Sequence, residues 1–195
     1  REEFIYCGSG GVVGVDARDG QVLWQTNAWK INIATVPTPI PCGNDRVFVC
    51  GGYNAGSAML NMREQGGKLE AAVQWRLPAK EFGSDQQTPV LFGDRIYGVI
   101  PDGQLVCLGL DGTRLWSSGM SNRFGLGPYL IASQAVWLLD DNGTLSVAAT
   151  TTDHFERLAT AKVLTGHDAW GPMAVVGNRL LARDLDTLVC LEVNP

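Results

Sequence analysis

Short apolar runs alternate with polar turn clusters along the whole chain. The runs Phe4-Ile5-Tyr6-Cys7, Val47-Phe48-Val49-Cys50, 96–100, 136–139 and 180–182 follow Glu3, Arg46, Arg95, Ala135 and Arg179, at spacings of 43, 49, 40 and 44 residues. A proline column repeats with them: Pro39, Pro89, Pro128 and Pro172, at spacings of 50, 39 and 44. A third column holds Trp24, Trp75, Trp116 and, as its fourth member, Leu158, at spacings of 51, 41 and 42. Three columns sharing one period of about 43 residues define an internal repeat.

Inside each repeat the pattern is that of strands. Gly43-Asn44-Asp45-Arg46 and Gly93-Asp94-Arg95 are turn clusters between apolar runs. Asp102-Gly103 and Asn142-Gly143 are two-residue hairpin signals, because the favoured turn needs positive φ at both central residues. Asp19-Gly20 and Asp111-Gly112 mark the following turn. A full repeat therefore reads as four short antiparallel strands, and no stretch carries a helical period. The insertion from Ser57 to Trp75 leaves two alternatives for 62–67: a longer hairpin tip or one helical turn.

Four-stranded units of 40–50 residues predict an all-β fold, a β-propeller whose blades stack around an axis because no unit buries both faces alone. The expected units are 1–34 (incomplete), 35–86, 87–126, 127–169 and 170–195 (incomplete) within a single domain, 1–195. At about 43 residues per unit the 195 residues make roughly 4.5 blades, opening at a second strand and closing with three strands of a last blade. The expectation is part of a larger, eight-blade ring, with apolar faces left uncovered at both ends; a closed ring of four or five blades is the rival.

Composition narrows the classes. The chain is 45% hydrophobic and 18% charged, which excludes disorder, and it lacks the 18-residue apolar run of a membrane-spanning helix. A net charge of −5 argues against a nucleic-acid partner. The five cysteines form no CxxC pair, so they read as small buried hydrophobes, with a disulfide or a reactive thiol as the alternative. Cys107 and Cys190 occupy the same place in two Leu-Val-Cys-Leu strands and are expected to point into the blade stack as reduced thiols.

Gly14-Val15-Asp16-Ala17-Arg18-Asp19-Gly20-Gln21-Val22-Leu23-Trp24 resembles the tryptophan-docking repeat of the pyrroloquinoline-quinone-like propellers: a small residue, x, Asp, two residues, Thr-Gly, three residues, Trp. Asp19 stands where that pattern has Thr. Residues 110–116 form a shortened copy, 67–75 a lengthened one, and the copy at 147–158 has lost both Gly and Trp. The resemblance implies structural docking by Trp24, Trp75 and Trp116, which should be largely buried at equivalent places. It also implies a bacterial periplasmic or cell-envelope setting. The superfamily spans quinoprotein dehydrogenases and non-catalytic envelope propellers.

Candidate chemistry is thin. The run 8–14 (GSGGVVG) places its third glycine one position late for a dinucleotide loop and leads into a strand. Asp140-Asp141-Asn142-Gly143 imitates part of a calcium loop, but position twelve is Thr151 where a Glu is needed. His154 and His167 have no second ligand at a metal-site spacing. No catalytic, cofactor-binding or metal-ligating residue is therefore assigned. The segments 27–36, 80–87, 118–126 and 164–170, which join one blade to the next, are the expected interaction face, with Trp29, Asn32, Asp85, Gln86, Arg123, His167, Asp168 and Trp170 as candidates and Lys30 and Lys80 beside them. The primary reading is a non-catalytic scaffold that engages a protein or peptide, or the remainder of a larger propeller. The alternative is part of a quinoprotein oxidoreductase holding pyrroloquinoline quinone over calcium, and a sensor domain fused to an enzyme is a third. No adjacent Cys pair and no matching Glu/Asn/Asp calcium set supports the oxidoreductase.

Overall fold

A computed structural model describes residues 2–193. They form eighteen strands: β1 (Glu3–Gly8), β2 (Gly11–Asp16), β3 (Val22–Thr26), β4 (Ile40–Pro41), β5 (Arg46–Gly51), β6 (Gly56–Gln65), β7 (Lys68–Leu77), β8 (Val90–Phe92), β9 (Arg95–Val99), β10 (Leu105–Gly109), β11 (Arg114–Ser117), β12 (Tyr129–Ala132), β13 (Ala135–Leu139), β14 (Thr144–Ala149), β15 (Arg157–Lys162), β16 (Ala174–Val176), β17 (Arg179–Arg183) and β18 (Leu188–Glu192). These make five antiparallel sheets of three, four, four, four and three strands, each a meander in chain order. The all-β expectation and its blade-like units hold.

By chain contacts the fold divides into two compact units, residues 1–101 with 108–114, and residues 102–107 with 115–195. The core of the first holds Cys7, Val12 and Trp24 of the first sheet against Val47, Val49, Ala58 and Leu60 of the second. On the other face of the second sheet Phe48 meets Phe82 edge-on, with centroids 5.5 Å apart, and Trp75 at 6.0 Å. In the second unit Leu139, Leu145 and Leu164 pack with Leu180 and Ala182 of the last sheet.

Hairpins form where positive φ is cheap. Gly103 (φ 90°) and Gly143 (φ 84°) take positive φ at the expected Asp-Gly and Asn-Gly sites, but Asp102 and Asn142 do not, and the connections run over 100–104 and 140–143, so the two-residue turns expected there are longer loops. The insertion resolves as the hairpin alternative: β6 and β7 are ten residues each, paired out to Gln65↔Lys68 around Gly66-Gly67.

A β-bulge recurs at one place in three sheets. Pairing skips a residue between Gly14↔Trp24 and Val15↔Val22, between Met59↔Trp75 and Leu60↔Val73, and between Val147↔Ala159 and Ala148↔Arg157. The extra residues are Leu23, Gln74 and Leu158. The tryptophan column therefore continues to Ala159, and Leu158, 56% exposed, takes the bulge position. A bulge adds a local kink that re-aims the neighbouring side chain.

Two further corrections concern burial. Cys107 is fully buried, but Cys190 is an exposed free thiol on β18, the unpaired edge of a three-stranded sheet. Trp24 and Trp116 are 3% and 7% exposed, whereas Trp75 is half-buried.

Candidate functional site

The three column tryptophans are fixed by different partners. In the first unit the Trp75 indole donates to the Leu110 carbonyl (3.1 Å) and lies over Gly112; a Cβ added at Gly112 would come within 3.1 Å of the ring. In the second, Trp116 donates to the Thr152 carbonyl (3.2 Å) and packs near Phe155, at 6.2 Å between centroids. Trp24 instead donates to Glu3 Oε2 (2.9 Å) within its own sheet. Its cross-strand partner is Gly14, where any Cβ would strike the indole, so the ring lies across β2. Trp75 faces Met59 and has no such room.

Loops of the first unit bracket the β5–β6 hairpin. The Gly51 carbonyl accepts the Ser84 N–H at 3.3 Å, and Asp85 Oδ1 accepts the Tyr53 N–H at 3.2 Å. Tyr53 and Asn54 take φ of 53° and 68°, a costly geometry for an aromatic residue, and the Tyr53 ring is 57% exposed. Ile33 and Val36 are exposed in the preceding loop, as is Asn32. Trp29 is not part of this surface. It is a core residue, 2% exposed, with the Arg76 guanidinium over its ring at 5.8 Å. Burial pushes the Cys7 thiol up, and the Trp29 indole partly offsets that rise. Gln86 is half-buried.

In the second unit, hydrogen bonds tie loops to hairpins around Asp102, Asp141 and Asp184. Arg123 Nε donates to the Asp102 carbonyl, and the Phe124 N–H donates to the Gly103 carbonyl. Gln104 Nε2 donates to Asp102 Oδ2 and touches the Met120 sulfur. Asp141 Oδ1 accepts the Leu126 N–H (2.7 Å) and the Trp170 indole N–H (2.9 Å). Asp184, a buried carboxylate, accepts the N–H groups of Gly166, Asp186 and Thr187. Burial opposes its ionisation, but those N–H groups outweigh burial and hold its carboxyl below the ordinary range. His167 and Asp168 pair at 2.9 Å on the surface, and the Leu185 N–H donates to the His167 carbonyl. This frame displays Met120, Leu185 and Trp170 at 63%, 60% and 44% exposure.

Sequence reasoning placed Trp170, His167, Asp168 and Arg123 in these loops but missed Tyr53, Met120 and Leu185. The available signals were a Tyr-Asn pair where a turn asks for Asn-Gly, and a lone Leu between two aspartates. The residues do not fit a calcium-held quinone. Among the described residues no group of three or more His, Cys, Asp or Glu converges to hold a metal ion. Asp85, Asp141 and Asp184 already receive N–H donors.

The chain resembles several solved structures in fold. Against the computationally designed Ika8 protein it is 13% identical with a TM-score of 0.69, covering 99% of this chain and 56% of that one. Against the designed Ika4 protein it is 13% identical with a TM-score of 0.61, covering 90% and 99%. BamB from Moraxella catarrhalis is 16% identical, with 97% and 66% covered and a TM-score of 0.49. The chain thus spans little more than half the length of the Ika8 chain and about two thirds of that BamB chain. No curated protein matches. A family model described as "Outer membrane protein assembly factor BamB" matches residues 2–118, more than half of the sequence, and the chain belongs to this family of pyrroloquinoline-quinone-like propellers.

Proposed function

We propose that this chain is a non-catalytic scaffold of the bacterial cell envelope, in the periplasm, that engages a protein or peptide partner through its inter-blade loops. The observation that carries this reading is the surface of the second unit: Met120, Leu185 and Trp170 stand out to solvent from loops whose backbones are held by Asp141 and Asp184. Rigid apolar anchors lose little entropy on binding, and a partly exposed Trp is a favoured interface anchor. The family description adds the setting, outer-membrane protein assembly. In the first unit Tyr53, its N–H held by Asp85, offers a further exposed aromatic on a hairpin.

Site-specific photocrosslinking in cells tests this. A crosslinker at position 170 or 185 should give a discrete adduct with an envelope protein, and one at Leu158, equally exposed on an outer strand, should not. Equal labelling from all three positions, or none from the loops, would reject the loop face. Adding quinone and calcium should leave the melting temperature and visible absorbance unchanged; a new absorbance band would favour the oxidoreductase.

A further inference from the structure

The hairpin of the second sheet is longer than its counterparts. β6 and β7 are ten residues each, against five and four for β10 and β11 and six each for β14 and β15. Leu60 pairs with Val73, Met62 with Ala71 and Glu64 with Leu69, so their side chains share one face of the hairpin. That face turns to the first sheet. Leu60, Met62, Ala71 and Val73 belong to one core with Ile5 and Leu23, and β7 runs beside β3.

Packing stops short of the hairpin tip. A cavity of about 330 Å³, open to solvent, lies between the two sheets. Its apolar walls are Ile5 and Leu23 on one side and Pro41, Val47, Met62 and Leu69 on the other, and its polar side chains are Glu3, Asp45 and Arg46. Val47 and Met62 are buried, Glu3 and Arg46 half-buried and Asp45 exposed, so the polar groups stand towards the opening. Each is held in place. Glu3 Oε2 accepts the Trp24 indole N–H at 2.9 Å. Asp45 sits in a left-handed turn (φ 57°) whose carbonyl accepts the Met62 N–H at 2.7 Å. Arg46 Nε is drawn back to the Gly43 carbonyl at 3.4 Å.

We propose that this cavity binds a small apolar amine, its hydrocarbon body between Leu23 and Met62 and its ammonium at the carboxylates of Glu3 and Asp45. Apolar clefts of about 300–1,000 Å³ with a few fixed polar groups are the usual form of small-molecule sites, and this one stands at the small end, the size of a single short chain. Two carboxylates against one guanidinium leave the opening net negative, and that guanidinium is turned to the Gly43 carbonyl, so charge complementarity selects a cation over an anion. The Trp24 bond orients the Glu3 carboxylate before any ligand arrives, which lowers the ordering cost of binding. The site lies at the end of β5 away from the Tyr53 hairpin and does not rest on the loop-face reading.

Methionine-methyl NMR tests the site, because Met62 lines the cavity while Met120 is exposed in the second unit. n-Octylamine should shift the Met62 methyl saturably and leave Met120 in place, with octanol binding more weakly and octanoate most weakly. Shortening the amine to n-hexylamine should weaken binding about fifteen-fold, at about 0.8 kcal/mol for each of the two methylenes lost. Glu3→Gln keeps an acceptor for the Trp24 indole, so it should erase most of the preference for octylamine over octanol and leave octanol binding unchanged. Leu69→Trp fills the cavity from its partly exposed wall and should abolish the Met62 response with the melting temperature undiminished. Equal shifts at Met62 and Met120 would mean adsorption to the surface and would overturn the proposal. So would octanoate binding as tightly as octylamine, an amine preference untouched by Glu3→Gln, octylamine binding unchanged in Leu69→Trp, or no response at Met62.

Discussion

Leu105-Val106-Cys107-Leu108 and Leu188-Val189-Cys190-Leu191 are the same four residues on the third strand of two repeats, with opposite environments. Leu105, Val106, Cys107 and Leu108 are all fully buried; Leu188 is 69% exposed and Cys190 is exposed. β10 lies between two strands of a four-stranded sheet, whereas β18 is the edge of a three-stranded one. The strand pattern prepares apolar residues for both faces, and a neighbour then decides whether they are buried. In a stacked repeat, burial is a property of the interface between units as much as of the unit.

The largest test removes what β10 has and β18 lacks, an outer strand anchored by a tryptophan. Trp116 is 7% exposed, holds the Thr152 carbonyl and packs on Phe155. Trp116→Ala should cost about 3–5 kcal/mol in urea denaturation. Trp75→Ala should cost less, because Trp75 is half-buried. Equal losses would mean that exposure does not rank these anchors.

The matched pair Leu105→Ala and Leu188→Ala addresses the comparison directly. Leu105 is fully buried, so its truncation should cost about 2–5 kcal/mol. Leu188→Ala should stay within about 0.5 kcal/mol. A large effect at Leu188 would show that β18 is covered in solution by something that supplies a neighbouring face.

Gly112→Ala against Gly20→Ala repeats the contrast at the turns. Both impose a Cβ at positive φ, at about 1–2 kcal/mol. Only at Gly112 does the Cβ also meet a ring, at 3.1 Å. The excess loss at Gly112 measures the indole contact and should vanish in a Trp75→Ala background, a double-mutant cycle that isolates the pair.

Features with a local cause could be read from the sequence alone. Asp102-Gly103, Asn142-Gly143 and Asp111-Gly112 turn where they should because glycine alone takes positive φ without cost. The tryptophan column was visible as spacing, but its fourth member was misplaced by one residue, because the bulge that exposes Leu158 and puts Ala159 in register is a property of strand pairing. Trp29 looked like a loop residue by position. Its burial comes from Cys7, Val12 and Arg76, which are distant in sequence. The strained Tyr53 depends on Asp85, thirty-two residues away, to hold its N–H.

The smallest energetic effect, and the sharpest discrimination, lies with the thiols. In native protein iodoacetamide should modify Cys190 first. Cys7, Cys42, Cys50 and Cys107 are buried and should react only as the fold opens, so mass spectrometry at short times should find one adduct, on the peptide holding Cys190. Early labelling of Cys107 would mean that β10 is as accessible as β18 and would erase the comparison. The buried thiols also set a pH dependence. Burial pushes Cys50, Cys42 and Cys7 up, and the neighbouring Cys7 raises Cys50 further. A group whose pKa is raised by folding keeps its proton in the native state while the unfolded chain loses it. Its stabilising contribution is therefore complete below the unfolded value of about 8.5 and declines as pH rises through the native value. Melting temperature should accordingly fall above about pH 8.5, and Cys50→Ala should flatten that decline while lowering stability at neutral pH through the lost packing. An alkaline limb as steep in Cys50→Ala as in the parent would show that the buried Cys50 thiol does not carry the decline.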